Sequence, residues 1–283
     1  MPAIEATLTI LVDNQAAPPL AAEHGFALWI DAAGRRILFD AGQGGALPGN
    51  AEQLGIDLSA ADTLVLSHGH YDHGGGIPAV LARHPAIAVV AHSGCLRSRY
   101  VVSKQETRAV GLPEAAAAAL RRHSQVHWAD TPVALAPAIG VTGAIRRGND
   151  FEDTGGPFFL DAAGREPDPL DDDIALWIRT PRGLVVCVGC AHAGVVNTVR
   201  QAQAQSGTRE LLAVVGGFHL GSASAARMER TIAALRELDP WRLVPCHCTG
   251  RAAAAALRAA LGDRVGPGAA GQTVSSWEIG DRR

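Results

Sequence analysis

The same run of elements occurs twice along this chain. Ala27-Leu28-Trp29-Ile30 passes through a glycine-containing turn into Ile37-Leu38-Phe39-Asp40. Ala175-Leu176-Trp177-Ile178 passes through Thr180-Pro181-Arg182-Gly183 into Leu184-Val185-Val186-Cys187. Each hairpin is followed by a helical pattern and then by an apolar strand that delivers histidine: Leu64-Val65-Leu66-Ser67-His68 in one half, Val214-Val215-Gly216-Gly217-Phe218-His219 in the other. A further helix and strand follow in each half, ending at His92 and at His247. Two ββαβαβ halves of this kind must each cover a second sheet face. Stacking sheet on sheet, with helices outside, covers both. The expectation is an α/β fold, a four-layer αββα sandwich, with the strand-end histidines of both halves meeting at one rim.

Hydrophobic periodicity predicts strands near 6–12, 26–31, 35–40, 62–67, 86–91, 174–179, 183–189, 210–216 and 241–246. It predicts helices near 47–55, 74–84, 113–123, 193–205, 224–238 and 250–261. On the helix near 224–238, Met228, Ile232, Leu235 and Leu238 form one apolar stripe. The stretch 93–173 interrupts the repeat with a helix, a Pro- and Ala-rich run and the segment Phe151 to Pro157. It reads as an insertion over the site, within a single domain spanning 1–283.

The segment Ser67-His68-Gly69-His70-Tyr71-Asp72-His73-Gly74-Gly75-Gly76 sets three histidines and an aspartate at the end of a predicted strand. Such side chains are costly to bury unless paired or metal-bound. In extended chain His68 and His70 point the same way and can grip one ion from one side. Asp72 and His73 turn away from that pair and can hold a second ion. The plainer reading, a solvated histidine-rich loop, accounts less well for four ligand-type groups in so short a run. Three more histidines lie at predicted strand ends beside Gly or Cys: His192, His219 and His247.

Composition narrows the class. A chain of 283 residues with 47% hydrophobic content can bury a full core. A net charge of −3 with no basic block offers no nucleic-acid footprint. No run of about 18 apolar residues marks a membrane span, and the N-terminus lacks a signal-peptide pattern, so cytoplasm is the expected setting. The five cysteines fit free thiols in a reducing compartment.

The order H-x-H-x-D-H, then a strand-end histidine, then two more, resembles the metallo-β-lactamase superfamily, whose fold is the duplicated αββα sandwich. Leu58 to Gly76, Asp171-Asp172-Asp173-Ile174-Ala175-Leu176, the Gly-Cys-Ala-His run, Gly-Gly-Phe-His-Leu and Pro-Cys-His-Cys-Thr-Gly are similar to one subgroup. That subgroup is typified by archaeal dihydropterin-ribofuranosylaminobenzene phosphate synthase. The resemblance implies that His68, His70 and His192 hold one metal, and that Asp72, His73 and His247 hold a second. It implies one or two divalent ions, zinc in the first instance and manganese or iron otherwise. The family's usual bridging carboxylate is missing, and His219 stands in its place. Replacing that anion with imidazole either leaves the metal pair more positive, favouring anionic substrates, or weakens the second site towards single-metal occupancy.

The function implied is a metal-dependent hydrolase acting on a small, anionic substrate through a metal-bound hydroxide, with Asp72 orienting the nucleophile and handling its proton. Rival readings are a pterin-related phosphoribosyl synthase, a redox-active di-iron member and a metal-binding protein without catalysis. Asp40 reads either as a buried acceptor for a ligand histidine or as an exposed turn residue. Arg97, Arg99, Lys104 and Arg108 suit a clamp for phosphate or carboxylate, and His24 suits a substrate contact. A four-thiolate zinc site from Cys187, Cys190, Cys246 and Cys248 is disfavoured, since Cys187 and Cys190 fall on opposite strand faces. His84, His123 and His127 read as surface residues. The partner expected is a small-molecule substrate, with no nucleic acid, no membrane and no stated oligomeric form.

Overall fold

The computed structural model describes residues 5–278. The strands of the first half are β1 (Ala6–Val12), β2 (Ala27–Ala32), β3 (Arg35–Phe39), β4 (Thr63–Leu66) and β5 (Ala88–Ala91). The middle of the chain adds β6 (Tyr100–Val102), β7 (Thr107–Ala109), β8 (Val126–Trp128), β9 (Val133–Ala136), β10 (Ile139–Val141) and β11 (Phe158–Phe159). The second half gives β12 (Ala175–Thr180), β13 (Gly183–Val188), β14 (Leu211–Gly217), β15 (Arg242–Cys246) and β16 (Thr273–Ser275). One sheet runs β16-β1-β2-β3-β4-β5-β8 and the other β15-β14-β13-β12-β10-β9.

The repeat read in the sequence survives as matched registers. Trp29 faces Leu38 across β2–β3, and Trp177 faces Val186 across β12–β13. In each half a parallel strand follows the hairpin, β4 beside β3 and β14 beside β13. A second parallel strand adds outside it, β5 in one half and β15 in the other.

Both faces of each sheet are buried, which is why the strands read as near-continuous apolar runs. Alternation sorts β13 cleanly: Val185 and Cys187 enter the core between the sheets, while Leu184, Val186 and Val188 face outward. The inner core joins Leu8, Ile10, Ile30 and Phe39 to Ile139, Leu176, Ile178 and Val215. Helices α1 (Leu47–Gln53), the short α2 (Tyr71–Gly74), α3 (Ile77–Arg83) and α4 (Glu114–Arg122) belong to the first half. There Leu47, Ile77, Val80 and Leu120 cover Leu38, Leu64 and Leu66. Helices α5 (Val195–Ser206), α6 (Ala225–Leu238) and α7 (Arg251–Leu261) cover the second sheet through Val196, Val199, Leu235 and Leu257. Each such aliphatic side chain contributes about 1.5–3 kcal/mol on burial. The result is the four-layer αββα sandwich.

The stretch 93–173 departs from its expected reading as one insertion. β8 extends the first sheet beside β5, and β9 and β10 complete the second beside β12. β10 holds the place in its sheet that β1 holds in the other. Short strands in a Pro- and Ala-rich context hid this pairing, because Gly140 and the alanines carry too little hydrophobicity to mark a face. Among the described residues only the small sheet β11-β6-β7 stands outside the sandwich, and its Phe158 lies against the rim. Among the described residues no helix is long and apolar enough to cross a membrane.

Candidate metal centre

The parallel strands end together, and the ligand-type residues follow them directly. His68, His70, Asp72 and His73 leave β4, Cys190 and His192 leave β13, His219 stands two residues past β14, and His247 follows β15. Asp40, Ala191, His219 and His247 take left-handed φ values of 62, 47, 45 and 47°. Non-glycine residues enter that region at an energetic cost, which surrounding contacts must offset. The geometry turns the chain sharply at each strand end.

Five overlapping sets of side chains each place their ligand atoms within 4.8 Å of one another: His68–His70–His192, His68–His73–Cys190, Cys190–His192–His219, Cys190–His247–Cys248 and His24–Asp72–His247. His68 Nε2 lies 3.0 Å from His70 Nδ1. Asp72 Oδ2 lies 3.1 Å from His24 Nε2 and 3.3 Å from His247 Nε2. His73 Nε2 lies 3.2 Å from Cys190 Sγ.

The outward nitrogens of His68, His73, His192 and His247 are engaged. Asp40, fully buried, accepts from His73 Nδ1, from the Ser67 hydroxyl and from the Ser67 backbone N–H, each at 2.7 Å. Because the Ser67 hydroxyl donates to Asp40, it accepts from His68 Nδ1 at 2.9 Å. One carboxylate therefore orients two imidazoles and turns both Nε2 atoms towards the centre. His192 Nδ1 donates to the Thr154 carbonyl at 2.8 Å, and His247 Nδ1 to Asn14 Oδ1 at 2.8 Å.

Buried aspartates also hold the loop backbones. Asp172 accepts the Gly69 N–H between His68 and His70, Asp173 the Ala193 N–H beside His192, and Asp13 the His247 N–H. Asp172 is in turn gripped by both Arg99 amino groups at 2.7 and 2.8 Å. Glu152 accepts the Val196 and Asn197 N–H groups, capping α5 directly after His192.

Burial, reinforced by neighbouring imidazoles, drives His68 and His192 well below the usual histidine range. Burial does the same to His70, against the pull of Asp72. These three are neutral at pH 7, the state in which imidazole binds metal. Burial would also lower His73, but the Asp40 carboxylate overrides it and carries the group to about 9. Asp72 is raised by burial, yet hydrogen bonds from His24 and His247 outweigh that and hold it well below the usual carboxylate range.

Several expected site residues fall elsewhere. Arg99 is no substrate clamp: it is 1% exposed and locked to Asp168 and Asp172. Arg97 points to Asp171 at the surface, and Lys104 lies exposed in the β6–β7 turn. Arg108 alone of that group reaches the rim, its guanidinium 5.7 Å from the Tyr71 ring centre. His24 belongs to the cluster itself, through Asp72. His92 accepts the Gly94 N–H and faces Asp130, away from the cluster. His123 is half-buried and lies 2.7 Å from the Ile87 carbonyl, so it is not a free surface residue.

His219 does not hold the linking place expected of it. Its ring lies 4.3 Å from that of His192, but it shares no set with Asp72, His73 or His247. Cys190 does that linking, as the member common to three sets. Its i, i+2 spacing from His192 repeats that of His68 and His70, a signal the sequence carried. Cys187 and Cys246 pack in the inner core, so the four-thiolate arrangement does not form. Phe158, from the small sheet, sets its ring 5.2 Å from both His70 and His192.

The donor set fits a divalent ion. His192 Nε2 and His219 Nδ1 are buried with no hydrogen-bond partner, a cost that metal coordination would remove.

Residues 21–247 match the sequence profile of the metallo-β-lactamase superfamily. Two proteins of Methanocaldococcus jannaschii are similar over most of both chains. The uncharacterized protein MJ0448 is 31% identical over 86% of this chain and 90% of its own. A 7,8-dihydropterin-6-methyl-4-(beta-D-ribofuranosyl)-aminobenzene-5'-phosphate synthase is 30% identical over 82% and 83%. Among solved structures, Tm1679, described as a metal-dependent hydrolase of the beta-lactamase superfamily, superposes with a TM-score of 0.82 at 26% identity, covering 95% of this chain and 98% of its own.

Proposed function

Since this chain belongs to the metallo-β-lactamase superfamily, we propose that it is a metal-dependent hydrolase of a small anionic substrate. The observation that carries the reading is the convergence of His68, His70, His73, His192, His247 and Asp72 on one buried rim, with partnerless imidazole nitrogens among them. His68, His70 and His192 would hold one ion, and Asp72, His73 and His247 the other. Bound there, a divalent ion supplies Lewis acidity to a substrate oxygen and brings the pKa of a coordinated water from ~15.7 towards ~7.

The chain's own residues supply the rest. Asp72, ionised and 6% exposed, is the carboxylate available to orient the attacking water and accept its proton. His24 is raised by its hydrogen bond to Asp72 and stands at the open edge, where it can donate to a leaving group. Asp72 is the one carboxylate in the ligand sets among the described residues. A loaded centre would therefore be strongly cationic, and Arg108 adds to that field, which is why the substrate should be anionic. Phe158, from the small sheet, lies against His70 and His192 and would limit water access from that side. Five free thiols suit a reducing compartment, so cytoplasm is the proposed setting. Zinc suits the imidazole-rich donors, with manganese or iron as alternatives.

A second reading is condensation to a phosphoribosyl-type product, favoured by the name of the 30% identical relative. It uses the same residues but consumes no water. Elemental analysis of protein purified without chelator should find one to two equivalents of transition metal, and a panel of phosphodiesters, lactones and pterins should find a substrate. Incorporation of labelled water oxygen into product separates hydrolysis from condensation. Asp72→Ala should lower turnover by ~10²-fold or more while leaving the fold intact. A His68→Ala/His70→Ala variant with undiminished metal content would refute the centre.

A further inference from the structure

Cys190 has no assigned task, yet it is the most connected residue of the rim. Its Sγ falls within the ligand-atom sets of His68 and His73, of His192 and His219, and of His247 and Cys248. Among the described residues it is the one sulfur whose sets include residues of both proposed ion positions. The expected bridging carboxylate is absent, and the sole carboxylate in the sets, Asp72, lies with His24 and His247 at the outer side. Something anionic must balance two divalent ions placed close together.

A buried cysteine is ordinarily a small apolar side chain. Cys187 and Cys246 behave in that way, packed among aliphatic groups between the sheets. Cys190 does not: its sulfur faces His73 Nε2 at 3.2 Å, the nitrogen that Asp40 leaves directed inward. The partnerless His192 Nε2 and His219 Nδ1 belong to residues of its own set.

We propose that the Cys190 thiolate is a metal ligand shared by the two halves of the centre, taking the place of a bridging carboxylate. This rests on the metal-centre reading above. On binding, the thiol gives its proton to solvent and forms a sulfur–metal bond to each ion, with no change of oxidation state. Thiolate selects borderline and soft ions, so the centre takes zinc over magnesium or manganese. Cys248, exposed more than Cys190 and adjacent to it, is the control: its one ligand-atom set is with His247 and Cys190, and its thiol also hydrogen-bonds His219.

Zinc-edge X-ray absorption of the loaded wild-type protein tests this without a variant. The expected result is a sulfur shell at ~2.3 Å beside nitrogen and oxygen at ~2.0–2.1 Å. In cobalt-loaded protein a near-ultraviolet sulfur-to-cobalt band should appear, persist in Cys248→Ala and vanish in Cys190→Ser. Cys190→Ser should retain one equivalent of metal tightly and bind the second at least ~10²-fold more weakly. Two bound equivalents with no sulfur shell would overturn the thiolate bridge alone. A sulfur shell lost in Cys248→Ala but kept in Cys190→Ser would also overturn it. A wild-type protein that binds no metal would overturn the hydrolase reading together with this one.

Discussion

Replacing Asp40 with asparagine keeps the shape of the side chain and removes its charge. Asparagine tolerates the left-handed φ of 62° at this position, so the backbone is not strained by the change. One amide oxygen can still accept from Ser67 N–H. The other terminus becomes NH₂ and faces the Ser67 hydroxyl and His73 Nδ1, both now 2.7 Å from a carboxylate oxygen. In metal-free protein, Asp40 raises His73 from 6.5 to about 9. That difference corresponds to about 3 kcal/mol, close to the ~3–5 kcal/mol expected when one partner of a buried ion pair is removed. A raised histidine stabilises fully below 6.5, and the contribution is lost as pH rises through about 9. Urea unfolding of chelator-stripped protein should therefore show Asp40→Asn less stable by about 3 kcal/mol at neutral pH, with the gap closing above pH 9. In loaded protein, the amide favours the His73 tautomer whose Nε2 carries the proton, and zinc affinity measured against a competing chelator should fall ~10–100-fold. Equal urea midpoints at neutral pH, or a gap that does not change with pH, would refute the reasoning.

Arg99→Ala strands Asp168 and Asp172 in the interior and should lower stability by ~3–5 kcal/mol in thermal or urea unfolding, whereas Arg97→Ala and Lys104→Ala should change it by no more than ~0.5 kcal/mol. A stable Arg99→Ala protein would contradict the structural role given to this arginine. Burial raises Asp173 to about 7, so its folded form favours the proton, and the stability this gives is present below 3.8 and lost as pH rises through about 7. Asp173→Asn should accordingly flatten the decline in urea midpoint between those values; an unchanged pH profile would remove Asp173 as its source. His219→Asp puts a carboxylate next to His192 and Cys190 and should tighten metal binding at the His68, His70 and His192 position in chelator competition. Unaltered metal affinity with altered substrate affinity would instead make His219 a substrate contact.

The repeat and its hydrophobic periods were legible because both sheets are buried on two faces, which forces long apolar strands with clear punctuation. The histidines were legible because ligand chemistry tolerates few residue types and tight spacings. What stayed hidden has a different physics. β9 and β10 pair through backbone groups that any sequence possesses, so Ala134, Ala136 and Gly140 leave no compositional mark. Asp13, Asp172 and Asp173 look like ordinary loop aspartates, and only folding reveals that each is buried on a backbone N–H. Arg99 misled because charge in a loop reads as surface, whereas its partners Asp168 and Asp172 lie about seventy residues away in the chain. Cys190 was discounted with Cys187, although Cys187 lies within β13 and Cys190 lies past its end.

The pairing of β1 with β16 fixes when the centre can exist. Thr7 lies opposite Ser275, and the Asp13 carboxylate accepts the N–H of His247. A ribosome emitting ~5–20 residues per second needs roughly 15–50 s between synthesising those two strands. During that interval the outer edge of β1 has no partner and is open to other chains. For part of that interval the nascent chain displays His68, His70, Asp72 and His73, but not His192 or His247. An ion captured then is held by half a coordination sphere and can exchange freely. On the proposed function, durable loading would wait for the last strands, and metal choice would be made by the finished protein in equilibrium with its surroundings.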